Sequence, residues 1–303
     1  MLNLLQISDL HFGPYFKPAV AESLLEKIEE LEADILINSG DLTQRAKRIQ
    51  FEDARAFHAR LPKVPTVVVP GNHDVPLYRV MERIFSPYAL YQEHISEELN
   101  TVLHHERAVI VALNSTSPLR AITNGRIRRW QLDLCSEVFR NVPENVLRVV
   151  VAHHHFAPAP DYEGGQVMPR AQRAMDRFTE LKVDLVLGGH MHRAYIGNSL
   201  DVYSGRDREH GVIIVQSGTS ASRRGRARER EKNSFNYVQV GDDIIRVTHY
   251  MYFADIPGFQ PVSRHIFPRM SRHYLSDAPA QIAGHRAVPR DADLAQTLRP
   301  GVR

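Results

Sequence analysis

Seven short runs of apolar and β-branched residues recur along the first 216 residues of this 303-residue chain. They lie at 2–8, 34–39, 66–70, 108–114, 147–152, 183–187 and 212–216. Between them are longer stretches with apolar residues at helical spacing, at 18–31, 49–61, 127–140 and 169–181. This alternation predicts an α/β fold in which helices cover the strands of a sheet.

Composition sets only broad limits on function. Hydrophobic residues make up 43% of the chain and charged residues 24%, as in ordinary globular proteins. The formal net charge of +3 suits an anionic substrate without indicating nucleic acid. No run of about twenty apolar residues predicts a membrane span, and no secretory leader precedes the first strand. Together with the single cysteine, Cys135, this pattern predicts a cytoplasmic protein without disulfides.

Residue types that bind metals follow five of the predicted strands directly. The five clusters are Asp9-Leu10-His11, Gly40-Asp41, Gly71-Asn72-His73-Asp74, His153-His154-His155 and Gly189-His190-Met191-His192. Ligand sites of α/β sheets lie beyond the carboxyl ends of strands, so we expect these clusters to converge. In an extended chain residues i and i+2 point the same way, so each of the two Asp/His-x-His pairs aims two ligands into one cavity.

The candidate ligands are carboxylates, imidazoles and one amide, a set that suits Mn, Fe, Zn, Co or Ni. A thiolate site is excluded because Cys135 lies elsewhere in the sequence. Taken singly, each candidate has an ordinary structural explanation: Asp41 can cap a helix and Gly71-Asn72 can form a turn. Only the co-occurrence of all five clusters supports a metal centre.

The ordered motifs DLH, GD, GNHD, HH and GHMH, spread over residues 1–220, resemble those of the calcineurin-like metallophosphoesterase superfamily. SDLHFG, GDLT and PGNHD resemble its bacterial cyclic-nucleotide and glycerophosphodiester phosphodiesterase branch. The resemblance implies a four-layer α/β/β/α sandwich with mixed β-sheets and a C-terminal extension. It also implies two divalent metal ions per chain that activate water for the hydrolysis of a small or medium phosphoester, a diester in preference to a monoester.

The same resemblance implies a role for each candidate residue. The ligands are Asp9, His11, Asp41 and His192 for one metal and Asp41, Asn72, His153 and His190 for the other, with Asp41 as the bridge. His73 corresponds to a catalytic histidine that binds no metal, and Asp74 is its candidate orienting partner. Where the family has one or two histidines followed by proline, this chain has His153-His154-His155-Phe156. The ligand is therefore His153 or His154, and we choose His153 because it directly ends the apolar run.

We expect a metallophosphoesterase domain at 1–255 and a Pro/Arg-rich C-terminal tail at 256–303, which lacks periodicity and offers surface for a homodimer contact. Residues 75–105 are predicted to form a helical insertion near the active site. Residues 222–232, with the sequence SRRGRAREREK, are predicted to form a mobile surface loop.

Two other functions share these motifs. A nuclease of the same superfamily would need a wide basic groove, and only the arginines of 222–232 point to one, so nucleic acid is not favoured as a partner. A non-catalytic metal-binding scaffold would tolerate degraded ligands, whereas every expected ligand is present here.

Overall fold

The computed structural model describes residues 1–119, 123–158, 167–203, 211–256 and 258–269. The strands of these residues are β1 (Leu2–Ile7), β2 (Ile35–Asn38), β3 (Thr66–Val68), β4 (Thr101–His105), β5 (Ala108–Leu113), β6 (Leu147–Ala152), β7 (Leu185–Gly188), β8 (Tyr195–Asn198), β9 (Ile213–Gln216), β10 (Ser234–Val240), β11 (Ile244–Phe253) and β12 (Gly258–Pro268). The helices are α1 (Pro18–Glu30), α2 (Arg48–Ala59), α3 (Val80–Phe85), α4 (Ala89–His94), α5 (Arg129–Phe139) and α6 (Ala171–Glu180).

The strands form two mixed sheets. The first has the order β12-β11-β10-β1-β2-β3, in which β1, β2 and β3 run parallel and β10 to β12 are antiparallel. The second has the order β4-β5-β6-β7-β9-β8, with parallel pairing from β5 to β9 and antiparallel strands at both edges. The predicted mixed sheets are therefore confirmed.

Three apolar layers hold the sheets and helices together. Inward-facing residues of both sheets, such as Leu4 and Val149, pack against each other in the central layer. Helices α1 and α2 cover the outer face of the first sheet with residues such as Leu24 and Phe51. Helices α5 and α6 cover the outer face of the second sheet, where Phe178 is fully buried. This order of layers confirms the predicted α/β/β/α sandwich.

The two sheets are joined where the parallel strands end. The side-chain amide of Gln6 in β1 donates a hydrogen bond of 2.8 Å to the carbonyl oxygen of Gly188 in β7. Both groups are buried, so the bond fixes the end of one sheet against the end of the other. The segments that follow β1, β2, β3, β6 and β7 consequently meet at one edge of the sandwich.

Sequence periodicity missed five strands. One of them, β4, lies within residues 75–105, which were predicted to form a helical insertion and which also contain α3 and α4. Another, β12, lies beyond residue 255, where a tail was predicted. As the edge strand of its sheet, β12 leaves most of its side chains exposed, so its sequence lacks the apolar alternation of a half-buried strand. Residues 270–303 of the predicted tail lie outside the described residues.

Among the residues that the structure describes, none of the helices has the length and apolarity needed to cross a membrane.

The position of β12 gives a first prediction. Phe259 of β12 is fully buried and packs against Phe235, with ring centroids 5.1 Å apart. We expect Phe259→Ala to lower the free energy of unfolding by about 3–5 kcal/mol, measured by urea denaturation, because the substitution leaves a cavity. Ile266→Ala in the same strand is the control, with an expected change of less than about 0.5 kcal/mol, since Ile266 is exposed. Equal, small effects of both substitutions would mean that 258–268 behaves as a tail.

Candidate metal centre

Four of the predicted ligands form one compact group. Asp9, His11, Asp41 and His192 each offer an atom, and these atoms all lie within 4.8 Å of one another. The Nε2 atom of His192 is 3.1 Å from Oδ1 of Asp9 and 3.0 Å from Nε2 of His11. All four side chains are buried. Two carboxylates and two imidazoles that face one another make a possible binding site for a divalent first-row metal.

The remaining predicted ligands lie beside this group. The Oδ1 atom of Asn72 is 3.2 Å from Nε2 of His153 and 2.9 Å from Nδ1 of His190. His153 in turn brings its Nε2 atom to 3.4 Å from Oδ2 of Asp41. Asp41, Asn72, His153 and His190 thus form a second cluster of facing ligand atoms.

Asp41 belongs to both clusters. Its Oδ2 atom is 3.7 Å from Nε2 of His11 and 3.4 Å from Nε2 of His153, while its Oδ1 atom accepts a hydrogen bond from the backbone N–H of His73. Oδ2 of Asp41 and Oδ1 of Asp9 are buried and accept no hydrogen bond. A buried carboxylate oxygen without a donor is costly, and a cation beside it removes that cost. The residues present therefore fit a pair of cations that share Asp41.

The electrostatics of the two carboxylates agree with this arrangement. Burial raises the pKa of Asp41, but the nearby His153 and His73 imidazoles outweigh it and hold that pKa well below its usual range. Burial lowers the pKa of His153, but Asp41 reverses the shift and raises the pKa to about 9. In the absence of a metal the site therefore gathers positive charge as a proton on His153. A cation between the same groups would replace that proton.

Five of the seven predicted ligands have a left-handed backbone. Their φ angles are 53° for Asp9, 50° for His11, 54° for Asp41, 73° for His190 and 54° for His192. The prediction that each i, i+2 pair lies on an extended chain is wrong, because the chain turns at each of these residues. Non-glycine residues in this region cost roughly 1–3 kcal/mol each, and such strain is concentrated at functional sites.

Two glycines allow this crowding. A Cβ atom on Gly71 would lie 2.2 Å from Oδ1 of Asp41, and one on Gly189 would lie 2.5 Å from Oδ2 of Asp9. Neither neighbour is free to move, because each belongs to the centre. Glycine is therefore required at both positions for the backbone to approach the carboxylates.

Hydrogen bonds to the backbone fix the orientation of the histidines. His153 donates from Nδ1 to the carbonyl oxygen of Ser39 at 2.8 Å, and His192 donates from Nδ1 to the carbonyl oxygen of Arg224 at 3.1 Å. In both rings Nε2 is then the nitrogen that faces the carboxylates and that would be available to a cation. The backbone N–H of His190 donates to Oδ2 of Asp9 at 3.0 Å, which links the two sheets at the centre.

Of the two candidates in the triple-histidine segment, His153 is the one that faces the centre. The Nδ1 atom of His154 instead lies 2.8 Å from the hydroxyl of Ser115. The ring of His154 is packed closely enough that a Cβ atom on Gly125 would lie 2.3 Å from it. His153 therefore faces the carboxylate of Asp41, and His154 lies behind it against Ser115.

His73 lies at the centre, but Asp74 does not orient it as the sequence suggested. The Nδ1 atom of His73 donates to the carbonyl oxygen of Gln44 at 2.9 Å. The carboxylate of Asp74 accepts from the backbone N–H groups of Leu42, Thr43 and Gly71 at 2.8–3.1 Å. The same carboxylate accepts from the hydroxyl of Thr43 at 3.0 Å, so both of its oxygens are hydrogen-bonded to the loops that carry Asp41 and Asn72. It joins two ligand loops and leaves the orientation of His73 to Gln44.

The centre also includes Arg224, which sequence reasoning assigned to a mobile surface loop. Its Nη1 atom lies 3.1 Å from Nε2 of His73 and donates to Oε1 of Gln44 at 2.9 Å. The loop is held by Glu229, whose buried carboxylate accepts from the N–H of Ala194 and the hydroxyl of Ser234. Residues 222–232 form a loop with several exposed side chains, but Arg224 lies at the centre and Glu229 is buried, which the sequence did not indicate. Alternating charges are typical of solvated surface, and no local pattern separates Arg224 from the exposed Arg223 and Arg226.

Comparison of the sequence with known protein families identifies a family that is consistent with a metal centre at these residues. The family model described as calcineurin-like phosphoesterase matches residues 2–194, more than half of the chain. The chain belongs to the calcineurin-like phosphoesterase family. This family is part of the metallophosphoesterase superfamily of hydrolases, which is characterised by dinuclear metal centres. No curated protein matches the sequence significantly.

Solved structures share the fold at low sequence identity. A purple acid phosphatase from yellow lupin (Lupinus luteus) seeds superposes with a TM-score of 0.66 at 15% identity, over 88% of this chain and 53% of the lupin chain. A dimetal phosphatase from Danio rerio superposes with a TM-score of 0.60 at 11% identity, over 88% of this chain and 99% of the other. This chain thus spans about half the length of the lupin enzyme and nearly all of the zebrafish one.

The contacts of Asp74 give the second prediction. Asp74→Ala leaves three buried N–H groups without an acceptor, each worth about 1–3 kcal/mol, so we expect the free energy of unfolding to fall by about 3 kcal/mol or more. The matched control is His73→Ala, for which we expect a change of less than about 1 kcal/mol, since the backbone N–H of residue 73 still reaches Asp41. Urea denaturation of the metal-free protein measures both. Similar stabilities of the two variants would contradict this structural role of Asp74.

Proposed function

We propose that this chain hydrolyses phosphate esters at a dinuclear metal centre and prefers diesters to monoesters. The observation that carries the proposal is the shared Oδ2 atom of Asp41, which lies between His11 and His153 and accepts no hydrogen bond. Membership of the family supports hydrolysis. The preference for diesters is supported only by the resemblance of SDLHFG, GDLT and PGNHD to a phosphodiesterase branch.

In this proposal Asp9, His11 and His192 would hold one cation, Asn72, His153 and His190 would hold the other, and Asp41 would contribute to both. Two cations so placed lower the pKa of bound water and neutralise the negative charge that develops on a phosphoryl group during in-line displacement. Mn, Fe, Zn, Co and Ni all accept this mixture of ligands.

His73 is the proposed proton donor to the leaving oxygen. Its Nδ1 atom is committed to the carbonyl of Gln44, so Nε2 is the nitrogen that can serve the substrate. Burial lowers the pKa of His73, which keeps the ring neutral in the free protein. An anionic phosphoryl group beside the ring opposes that shift and favours the protonated form. The protonated ring then donates from Nε2 as the ester bond breaks.

Arg224 is the proposed contact for a non-bridging phosphoryl oxygen. Its guanidinium is half-buried and lies against the same nitrogen of His73 that would face the substrate. Its backbone carbonyl is fixed by His192, so the side chain begins at a set position beside the metals. Arginine is well suited to this contact because it stays charged and presents several N–H groups in a fixed plane.

The third prediction concerns turnover. With Mn²⁺ added, we expect the protein to hydrolyse bis-p-nitrophenyl phosphate faster than p-nitrophenyl phosphate. The absorbance of the released nitrophenolate measures both rates. For a diester of an alkyl alcohol, whose leaving alkoxide needs a proton, His73→Ala should lower kcat by about 10²–10⁴ without changing the bound metal, since it removes only the proton donor. Asp41→Ala should lose both turnover and metal, measured by elemental analysis of the dialysed protein, because it removes the shared ligand.

Three outcomes would count against this function. Absence of turnover of either ester with any of the five metals would refute hydrolysis. Faster turnover of the monoester would refute the diester preference alone. Salt-dependent cleavage of single-stranded DNA ahead of both small esters would favour the nuclease alternative.

The fourth prediction concerns Arg224. We expect Arg224→Ala to raise the inhibition constant of inorganic phosphate by about tenfold or more, because charge-assisted hydrogen bonds typically contribute about 1.5–3 kcal/mol. Arg226→Ala is the matched control, since that side chain is exposed on the same loop, and we expect its inhibition constant to be unchanged. Equal metal content in both variants would show that the loop still supports His192. An unchanged inhibition constant in Arg224→Ala would exclude the proposed contact.

A further inference from the structure

A cavity opens beside the metal centre on the side of His73. It has a volume of about 320 Å³, within the usual range for small-ligand sites. Asn72 and His73 line it next to the metals, Gln44 and Arg45 contribute polar groups, and Val75 and Leu77 give it an apolar wall. Because His73 is the proposed proton donor, the part of the substrate nearest to this cavity is the alcohol that leaves.

The chain that follows Leu77 carries an unusual amount of exposed apolar surface. We call Tyr78, Val80, Met81, Ile84 and Phe85 the apolar lip. Their side chains are 72%, 48%, 67%, 46% and 75% exposed, respectively, and helix α3, which holds four of them, buries none of its residues. Contiguous exposed apolar surface of this kind marks interaction sites in soluble proteins.

Several contacts hold the apolar lip at the rim of the cavity. The guanidinium of Arg79 donates to the carbonyl of Ala46 at 2.7 Å, and that of Arg83 donates to the carbonyl of Leu77 at 2.9 Å. The guanidinium of Arg45 lies 5.0 Å from the ring centroid of Tyr78, so one residue both lines the cavity and touches the lip. The lip is therefore continuous with the cavity wall.

An isolated helix of six residues does not form on its own in water, and α3 has no buried face to stabilise it. Arg79 and Arg83 instead tie the start of α3 to the carbonyl oxygens of Ala46 and Leu77. This arrangement suits a ligand that is apolar at one end and anionic at the other, since the lip leads directly to the basic Arg45 and the metal centre.

We propose that the cavity and the apolar lip bind the hydrocarbon chain of an amphiphilic phosphoester, whose phosphoryl group occupies the metal centre. The inference rests on the proposed function and narrows its substrate class. The phosphoryl group lies between the ligand clusters and Arg224, the alcohol oxygen lies against His73, and the alkyl chain follows Val75 and Leu77 outward to the lip.

The test uses n-alkylphosphonates, which resemble the substrate but cannot be hydrolysed. Binding of butylphosphonate and octylphosphonate to the Mn²⁺-loaded chain of 303 residues is measured by calorimetry, below the concentration at which the longer ligand aggregates. Full burial of each methylene would strengthen binding about fourfold, and partial burial of the four extra methylenes should give about a tenfold difference between the two ligands.

The double variant Met81→Gln with Phe85→Gln tests the location. Both side chains are exposed, so the fold should persist. We expect the ratio of octyl to butyl affinity to fall to about twofold or less, with butyl affinity unchanged, because only the chain contact is removed. Ile266→Gln, an exposed apolar residue on β12, is the matched control and should keep the tenfold ratio.

Equal affinities of the wild-type chain for the two phosphonates would overturn the proposal, as would a tenfold ratio that survives in the double variant. The wild-type chain could instead bind octylphosphonate and butylphosphonate equally and form a dimer, seen by light scattering, that the double variant disrupts. In that case the apolar lip contacts a second copy of this chain, and the proposal fails. Phosphonate binding needs no turnover. A chain-length dependence in a protein that hydrolyses none of the tested esters would therefore separate failure of the proposed function from failure of this inference.

Discussion

The carboxylate of Asp41 is the group on which both halves of the candidate centre depend. One of its oxygens is held by the backbone N–H of His73, which leaves the other between His11 and His153 with no hydrogen-bond donor. Those two histidines come from different sheets, so the carboxylate is a point of contact between the halves of the sandwich. A negative charge buried in this way is stable only with positive charge on both sides. Protons can supply part of that charge, and a pair of cations supplies it fully.

The surrounding backbone shows how the chain accommodates so many polar groups in one place. Parallel strands bring their carboxyl ends to the same edge, but straight strand ends would separate the ligand pairs by the spacing between strands. Left-handed turns at Asp9, Asp41 and His192 fold the side chains back toward one another instead. Gly71 and Gly189 allow the neighbouring backbone to come within contact distance of the carboxylates. The positive φ angles at Asp9, Asp41 and His192 therefore produce both the backbone strain and the convergence of the ligands.

Sequence reasoning succeeded where a signal is local. The buried strand β5 is a continuous apolar run, and β6 is apolar except for Arg148. The ligand clusters follow strands that have such a pattern. The order of the four layers was predicted from the resemblance to a known family. The edge strand β12 was missed because an exposed strand has no burial pattern to read. The prediction for Asp74 failed because its position next to His73 in the sequence does not determine where its carboxylate points. The direction is instead set by three backbone N–H groups that donate hydrogen bonds to it.

Arg224 could not be predicted for a different reason, and the reason bears on how the centre works. Its contacts join residues 180 and 151 positions away, Gln44 and His73, and they depend on a loop whose own anchor is the buried Glu229. One residue thereby serves two groups: its carbonyl orients the imidazole of His192, and its guanidinium faces His73. A shift of the loop would change the ligand and the charge beside the proposed proton donor together. Because both functions belong to one residue, the guanidinium that would meet the phosphoryl oxygen has a fixed position relative to the ligands that would hold the metals. The exposed arginines on either side need not be ordered for this.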